Sequence, residues 1–129
     1  MRHKFKVAPA NERTWNGRVY ASKAEMLYAQ LLADWEYLGS VAWWLEQPLF
    51  RLGCPENTYR PDFLVCWRET DGREWCQAVD VKGVMTASFK RNVKLWRQYA
   101  PMSLKIVTRV RAGKWDAEVV DGKPRTRKA

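Results

Sequence analysis

Two carboxylates and one ammonium, Asp62, Asp80 and Lys82, form the pattern in this 129-residue chain most capable of chemistry. In Asp80-Val81-Lys82 the acid and the amine stand two residues apart, so on a strand both side chains project from the same sheet face. Asp62, in Arg60-Pro61-Asp62, precedes Asp80 by eighteen residues, about the length of one hairpin. Two carboxylates joined in this way suit magnesium, which takes oxygen ligands, keeps several waters and can hold a phosphate. Asp80 and Lys82 interrupt an otherwise apolar run, Ala78 to Val84, where an isolated charge is costly to bury. A metal site gives them a reason to be there; the plain alternatives are a strand ion pair and, for Pro61-Asp62, a strand start. Glu25 also has a plain reading, favoured when it is taken alone. Ser22-Lys23-Ala24-Glu25 fits a capping box in which Glu25 reaches back to the Ser22 backbone, with the cap contributing on the order of 1 kcal/mol.

These residues need a scaffold, and the hydrophobic periodicity supplies one. Trp15-Asn16-Gly17-Arg18 predicts a tight hairpin. Ala24, Leu27, Tyr28, Leu31, Leu32, Trp35 and Leu38 recur at helical spacing, which predicts a helix over about 22–38 stopped by Gly39. Val41 to Gln47 and Leu49 to Leu52 read as extended segments broken by Pro48, followed by a loop through Gly53, Pro55, Glu56 and Asn57. Tyr59 to Trp67 and Glu74 to Val81 are expected to form an antiparallel pair about Asp71-Gly72, both near the sheet centre. A second helix is expected over about 87–100, with Phe89, Val93, Trp96 and Ala100 on one face and Lys90, Arg91, Lys94 and Arg97 on its neighbours. Leu104 to Val110 and Trp115 to Val120 complete the strands, and the basic residues 123–129 are expected to be a flexible tail of a single domain.

The hairpin carries a condition. An unmodified two-residue turn at Asp71-Gly72 would pair residue 62 with residue 81 and set Asp62 and Asp80 on opposite faces. A shared metal site therefore requires a bulge or a loop with an odd residue count.

Twenty-three Lys and Arg against fourteen Asp and Glu give a net charge of +9, with the excess concentrated toward the end of the chain, so a polyanion is the natural partner. His3 is the only histidine and lies near the terminus, which leaves acid–base and metal chemistry to carboxylates and lysines. Cys54, Cys66 and Cys76 match neither a zinc spacing nor a secreted disulfide framework and are expected to be buried thiols in a reducing cell. No apolar run approaches the roughly 18 residues of a membrane span, so a soluble, cytoplasmic protein without membrane contact is expected. Eight tryptophans could include a base-stacking platform, although Trp35, Trp67 and Trp96 sit at core positions and packing is the better default. Trp43 and Trp44 would face opposite sides of a strand, and one of them could support a dimer contact.

A helix carrying Glu25, a strand with Pro61-Asp62, a strand with Asp80-Val81-Lys82-Gly83, then a helix introduced by Thr86, Phe89 and Lys90: this order resembles the PD-(D/E)xK nuclease superfamily, and within it the small phage proteins similar to archaeal Holliday junction resolvases. The resemblance spans 22–110, and its specificity lies in the combination of the upstream helical Glu, the separation of the two Asp residues and the element order. It implies a restriction-endonuclease-like α/β fold, a mixed central sheet flanked by helices, in a phage-encoded protein. It further implies magnesium, with manganese able to substitute, held by Asp62, Asp80 and the Val81 carbonyl, with Glu25 acting through water and Lys82 orienting the attacking water and offsetting phosphate charge. Lys90, Arg91, Lys94 and Arg97 would contact DNA. The expected substrate is a four-way junction cut by a homodimer, since two equivalent sites suit two symmetry-related strands. Another phage or restriction-like nuclease and a non-catalytic DNA-binding module are the alternatives.

Overall fold

Residues 7–123 are described by the structure, a computed structural model. His3 and the basic tail beyond Lys123 lie outside the described residues. A short 3-10 turn, Ala10–Glu12, leads into a two-stranded hairpin, β1 (Thr14–Trp15) and β2 (Arg18–Val19). Asn16 and Gly17 both take positive φ, 53° and 78°, as the primed turn of such a hairpin demands. Helix α1 (Lys23–Leu38) follows; Ser22 Oγ accepts the Glu25 N–H at 3.1 Å at its start. At its end Gly39, with φ 96°, donates to Glu36 O while Ser40 donates to Trp35 O, a Schellman stop that needs the left-handed conformation glycine adopts cheaply.

Strands β3 (Val41–Glu46), β6 (Phe63–Arg68), β7 (Glu74–Val81), β8 (Leu104–Arg111) and β9 (Lys114–Val120) form the central sheet in the order β3-β6-β7-β8-β9. Only β7 and β8 run parallel; helix α2 (Ala87–Tyr99), capped by Thr86 Oγ1 on the Phe89 N–H, makes the crossover between them. A second small hairpin, β4 (Phe50–Arg51) with β5 (Thr58–Tyr59), stands apart from the sheet. The result is a mixed α/β fold with a five-stranded central sheet flanked by two helices, as a restriction-endonuclease-like architecture requires.

Each helix covers one sheet face. Met26, Tyr28, Ala29 and Leu32 of α1 pack on Val41, Phe63, Val65, Val79 and Val107. Phe89 and Trp96 of α2, with Ala100, pack on Ala78, Leu104, Ile106 and Val120, and Leu52 and Tyr59 of the β4–β5 hairpin join this second core. Alternation along β7 explains the division: Val79 faces α1, while Ala78 and Asp80 face α2. Trp43 and Trp44 do face opposite ways, Trp44 packing edge-on against Phe63 and Trp43 remaining 39% exposed.

Two expectations are corrected. The stretch from Tyr59 to Trp67 is not one strand: Thr58–Tyr59 pairs with β4, and the sheet strand begins only at Phe63. Pro61, lacking an N–H and holding φ fixed, separates the two pieces. Of the three cysteines expected to be buried, Cys66 is buried and Cys76 partly so, but Cys54 is exposed in the β4–β5 loop, where no core reaches it. Among the described residues no helix is long and apolar enough to cross a membrane.

A Cβ placed on Gly122 would come within 2.5 Å of the Ala100 and Met102 carbonyl oxygens, whereas one on Gly83 would meet nothing within 4 Å. Gly122→Ala is therefore expected to destabilise the fold by about 1–3 kcal/mol through overpacking against backbone, and Gly83→Ala to change it by less than about 0.5 kcal/mol. Paired urea denaturation curves check the contrast; equal midpoints for the two variants would contradict it.

Candidate active site

The site begins with the β6–β7 connection. Arg68 pairs with Glu74, and Glu69 N–H still bonds Arg73 O at 2.8 Å, so the loop between paired strands has five residues, or three beyond that last bond. Gly72 closes it with φ 89°, its N–H bonded to Glu69 O at 2.9 Å. The count is odd, and Phe63 consequently pairs with Val79. One step further along this register, Asp62 stands opposite Asp80, on the same face.

The side chains meet accordingly. Asp62 Oδ2 accepts the Val81 N–H at 2.8 Å, and the Asp62 carboxyl hydrogen-bonds with Asp80. Burial, the bond to Asp80 and the charges of Asp80 and Glu25 push the Asp62 pKa far above the usual carboxylate range, against the opposing pull of the Val81 N–H. Asp80 is 1% exposed; its Oδ2 accepts a hydrogen bond from the Tyr59 hydroxyl and lies 3.6 Å from Lys82 Nζ. Lys82 itself sits over the Phe89 ring, 4.7 Å from its centroid, and its side chain keeps 31% exposure, so the ammonium bridges a buried carboxylate and solvent.

Glu25 comes from the first turn of α1. Ser22 caps its N–H, but the carboxylate does not return to the Ser22 N–H, so only half of the capping box forms. The side chain is 4% exposed, and burial raises its pKa, helped by the charges of Asp80 and Glu46 and countered by Arg18 and Lys82. Glu25, Asp62, Asp80 and Lys82 thus share one electrostatic neighbourhood.

Four residues unforeseen from the sequence complete it. Tyr59 holds Asp80 and packs against Phe89 and Trp96. Glu46, the last residue of β3, accepts the Tyr20 hydroxyl at 2.5 Å and pairs with Arg18 at 3.0 Å. Arg18 in turn lies over the Tyr20 ring, 5.1 Å from its centroid. The only available signal was charge at the edge of apolar segments, as in Leu45-Glu46, and that is too common to single out a site.

Among the described residues no group of three or more His, Cys, Asp or Glu side chains is gathered closely enough to hold a metal ion by itself. Magnesium does not require such a cage: two carboxylates, a carbonyl and retained waters suffice. The Asp62–Asp80 pair, with Glu25 nearby, sets three carboxyl groups in one neighbourhood beside the single ammonium of Lys82, and burial and mutual interaction raise the pKa of Asp62 and of Glu25. Carboxyl oxygens that a bound cation would deprotonate fit a hard divalent ion.

The basic residues of α2 are all exposed. Lys90, Arg91 and Lys94 border an open depression of about 540 Å³, and Arg91 bonds Asn57 Oδ1 at 3.2 Å. Lys90, Lys94 and Arg97 border a neighbouring one of about 260 Å³. Phe89, one residue before Lys90, links this surface to Lys82. No family model matches the chain, and no curated protein or solved structure is significantly similar to it.

The raised Asp62 pKa fixes the sign of a pH effect. A carboxyl that binds its proton more tightly in the folded chain than in the unfolded one loses stability as pH rises from about 4, its ordinary value, through the folded pKa. In EDTA, wild-type thermal stability is expected to fall from pH 5 to pH 8 more steeply than that of Asp62→Asn, which has no such proton to lose. Parallel melting curves for the two proteins across that range would refute the assignment.

Proposed function

We propose that this chain is a magnesium-dependent DNA endonuclease of the PD-(D/E)xK type, acting on branched DNA as a Holliday junction resolvase. The observation that carries the reading is the odd-count β6–β7 loop, which turns Asp62 and Asp80 onto one face beside Lys82. The basic, exposed face of α2 supports a polyanionic substrate. The branched substrate, the homodimer, the phage source and the ability of manganese to replace magnesium rest on the sequence resemblance.

In this reading Asp62, Asp80 and the Val81 carbonyl hold the ion. When bound, magnesium supplies Lewis-acid polarisation of a phosphate oxygen and makes water a better nucleophile. Tyr59 and Lys82 fix the Asp80 carboxylate, which keeps the ligand geometry from collapsing when charge accumulates. Lys82 reaches solvent beside Asp80, where its ammonium orients the attacking water and offsets negative charge on the reacting phosphate. Glu25, buried and raised in pKa by that burial, is suited to accept a hydrogen bond or a proton from a water at the site. Lys90, Arg91, Lys94 and Arg97 hold the backbone of the duplex arms.

Asp80→Asn and Lys82→Ala are expected to lower magnesium-dependent cleavage of a four-way junction by at least about a hundredfold while leaving binding in calcium or EDTA near wild type. Labelled four-way junction, flap, duplex and single-stranded DNA, each with and without magnesium, test the reading directly. Binding by all three proteins without cleavage by any would replace it with a DNA-binding module.

Lys94→Ala probes the α2 surface separately. Its affinity is expected to fall on every DNA tested, and its log-log salt dependence to flatten by about one. A wild-type slope would remove Lys94 from the contact surface.

A further inference from the structure

The β1–β2 hairpin and the edge strand β3 border a cleft of about 360 Å³ whose lining includes Trp15, Asn16, Arg18, Trp44, Leu45 and Glu46. Its volume lies at the lower end of the roughly 300–1,000 Å³ typical of small-ligand sites, the scale of one nucleotide rather than a base pair. The lining has the chemistry a nucleotide needs. Trp15 and Trp44 are partly exposed indoles, able to stack on any base. Asn16 is exposed and carries both a donor and an acceptor amide group. Arg18 keeps 39% side-chain exposure while tethered to Glu46 at 3.0 Å, which leaves guanidinium surface for a phosphate.

The position of the cleft ties it to the reaction. Glu46 forms one wall, pairs in register with Phe63, the neighbour of Asp62, and its charge acts on Glu25. Arg18 and Glu46 both act electrostatically on Glu25, and Glu25 on Asp62, so a nucleotide in the cleft would lie on the Glu25 side of the carboxylates. A base inside a continuous duplex cannot enter while it remains stacked and paired, and extruding it costs a few kcal/mol unless it is already unpaired.

We infer that this cleft is a subsite for one unpaired nucleotide of the DNA substrate, its base on Trp15 and Trp44 and its phosphate on Arg18, and that it makes the enzyme prefer DNA opened at a branch, flap or gap. The inference rests on the nuclease reading for its substrate, but the subsite is a binding site and is tested without cleavage.

The test uses the full chain in EDTA with a junction carrying 5-iododeoxyuridine at successive positions around the branch point. Ultraviolet cross-linking followed by peptide mass spectrometry is expected to place the adduct on Trp15 or Trp44 for an unpaired position and not for a paired one. Trp15→Ala is expected to reduce the preference for branched over fully paired DNA by roughly tenfold or more while duplex affinity stays unchanged. Because Trp15 also touches the α1 core, Asn16→Asp provides a second variant: Asn16 is exposed in the cleft lining and Asp also tolerates its φ of 53°, so the added negative charge repels a nucleotide without disturbing packing. It is expected to lose the same preference. Adducts confined to α2, or an unchanged preference in Asn16→Asp, would overturn the subsite even if the wild type cuts DNA. Adducts on Trp15 or Trp44 in a chain that cuts nothing would uphold the subsite and sink the nuclease reading.

Discussion

One residue of register governs this molecule. Side chains alternate along a strand, so shifting β6 against β7 by a single position would carry Asp62 to the face covered by α1 and leave Asp80 facing α2 alone. Gly72, at φ 89°, lets the chain close on the odd count, and the apolar pairs Phe63–Val79 and Leu64–Ala78 lock it by setting buried Phe63 and Val79 on one face and buried Ala78 on the other. The same hydrophobic alternation that builds two cores thus sets the two carboxylates together. The Asp62 to Val81 N–H bond is then a consequence: with Pro61 opposite Val81 and the strand ending at Phe63, the Asp62 side chain takes the donor.

That arrangement has a cost that the neighbours share. Asp80 is buried and Asp62 half-buried within hydrogen-bonding reach of it, and the pair would repel if both were ionised, which is why Asp62 retains its proton so tightly. Tyr59 and Lys82 relieve Asp80, and each is positioned by Phe89, which packs against the Tyr59 ring and lies beneath the Lys82 ammonium. Arg18 and Tyr20 perform a similar service for Glu46 on the other flank. A protein selected for stability alone would gain by replacing such a group with apolar residues of like volume. Three carboxyl groups sharing one electrostatic neighbourhood with a single ammonium are what make a functional reading preferable to an ordinary strand ion pair.

The sequence disclosed the parts of this structure that depend on local periodicity. Helix α1 starts and stops where Ser22 and Gly39 punctuate it, and α2 buries Phe89, Trp96 and Ala100 as its spacing required. The pairing of β6 with β7 was legible from Asp71-Gly72, and so was the condition of odd parity, though not its fulfilment, since loop geometry is settled by which strand ends pair. What could not be read was any contact made by folding a distant segment back. Tyr59 reaches Asp80, twenty-one positions away, only because the β4–β5 hairpin tucks under α2, and Glu46 meets Tyr20 across twenty-six. Neither residue belongs to a local pattern. The break at Pro61 was visible as a residue, yet continuous apolar character on both sides of it read as one strand.

The break at Pro61 also explains how a small domain reconciles a buried site with an accessible one. If the chain from Tyr59 to Trp67 were a continuous strand, Tyr59 and Asp62 would lie on opposite faces and could not both approach Asp80. Turning at Arg60 and Pro61 releases Tyr59 to enter the α2 core from outside the sheet while Asp62 keeps the register of β6. Asp80 is therefore held from the core side by Tyr59 and from the solvent side by Lys82. The irregularity that defeats the simple strand assignment is the feature that lets Tyr59 and Asp62 approach Asp80 together.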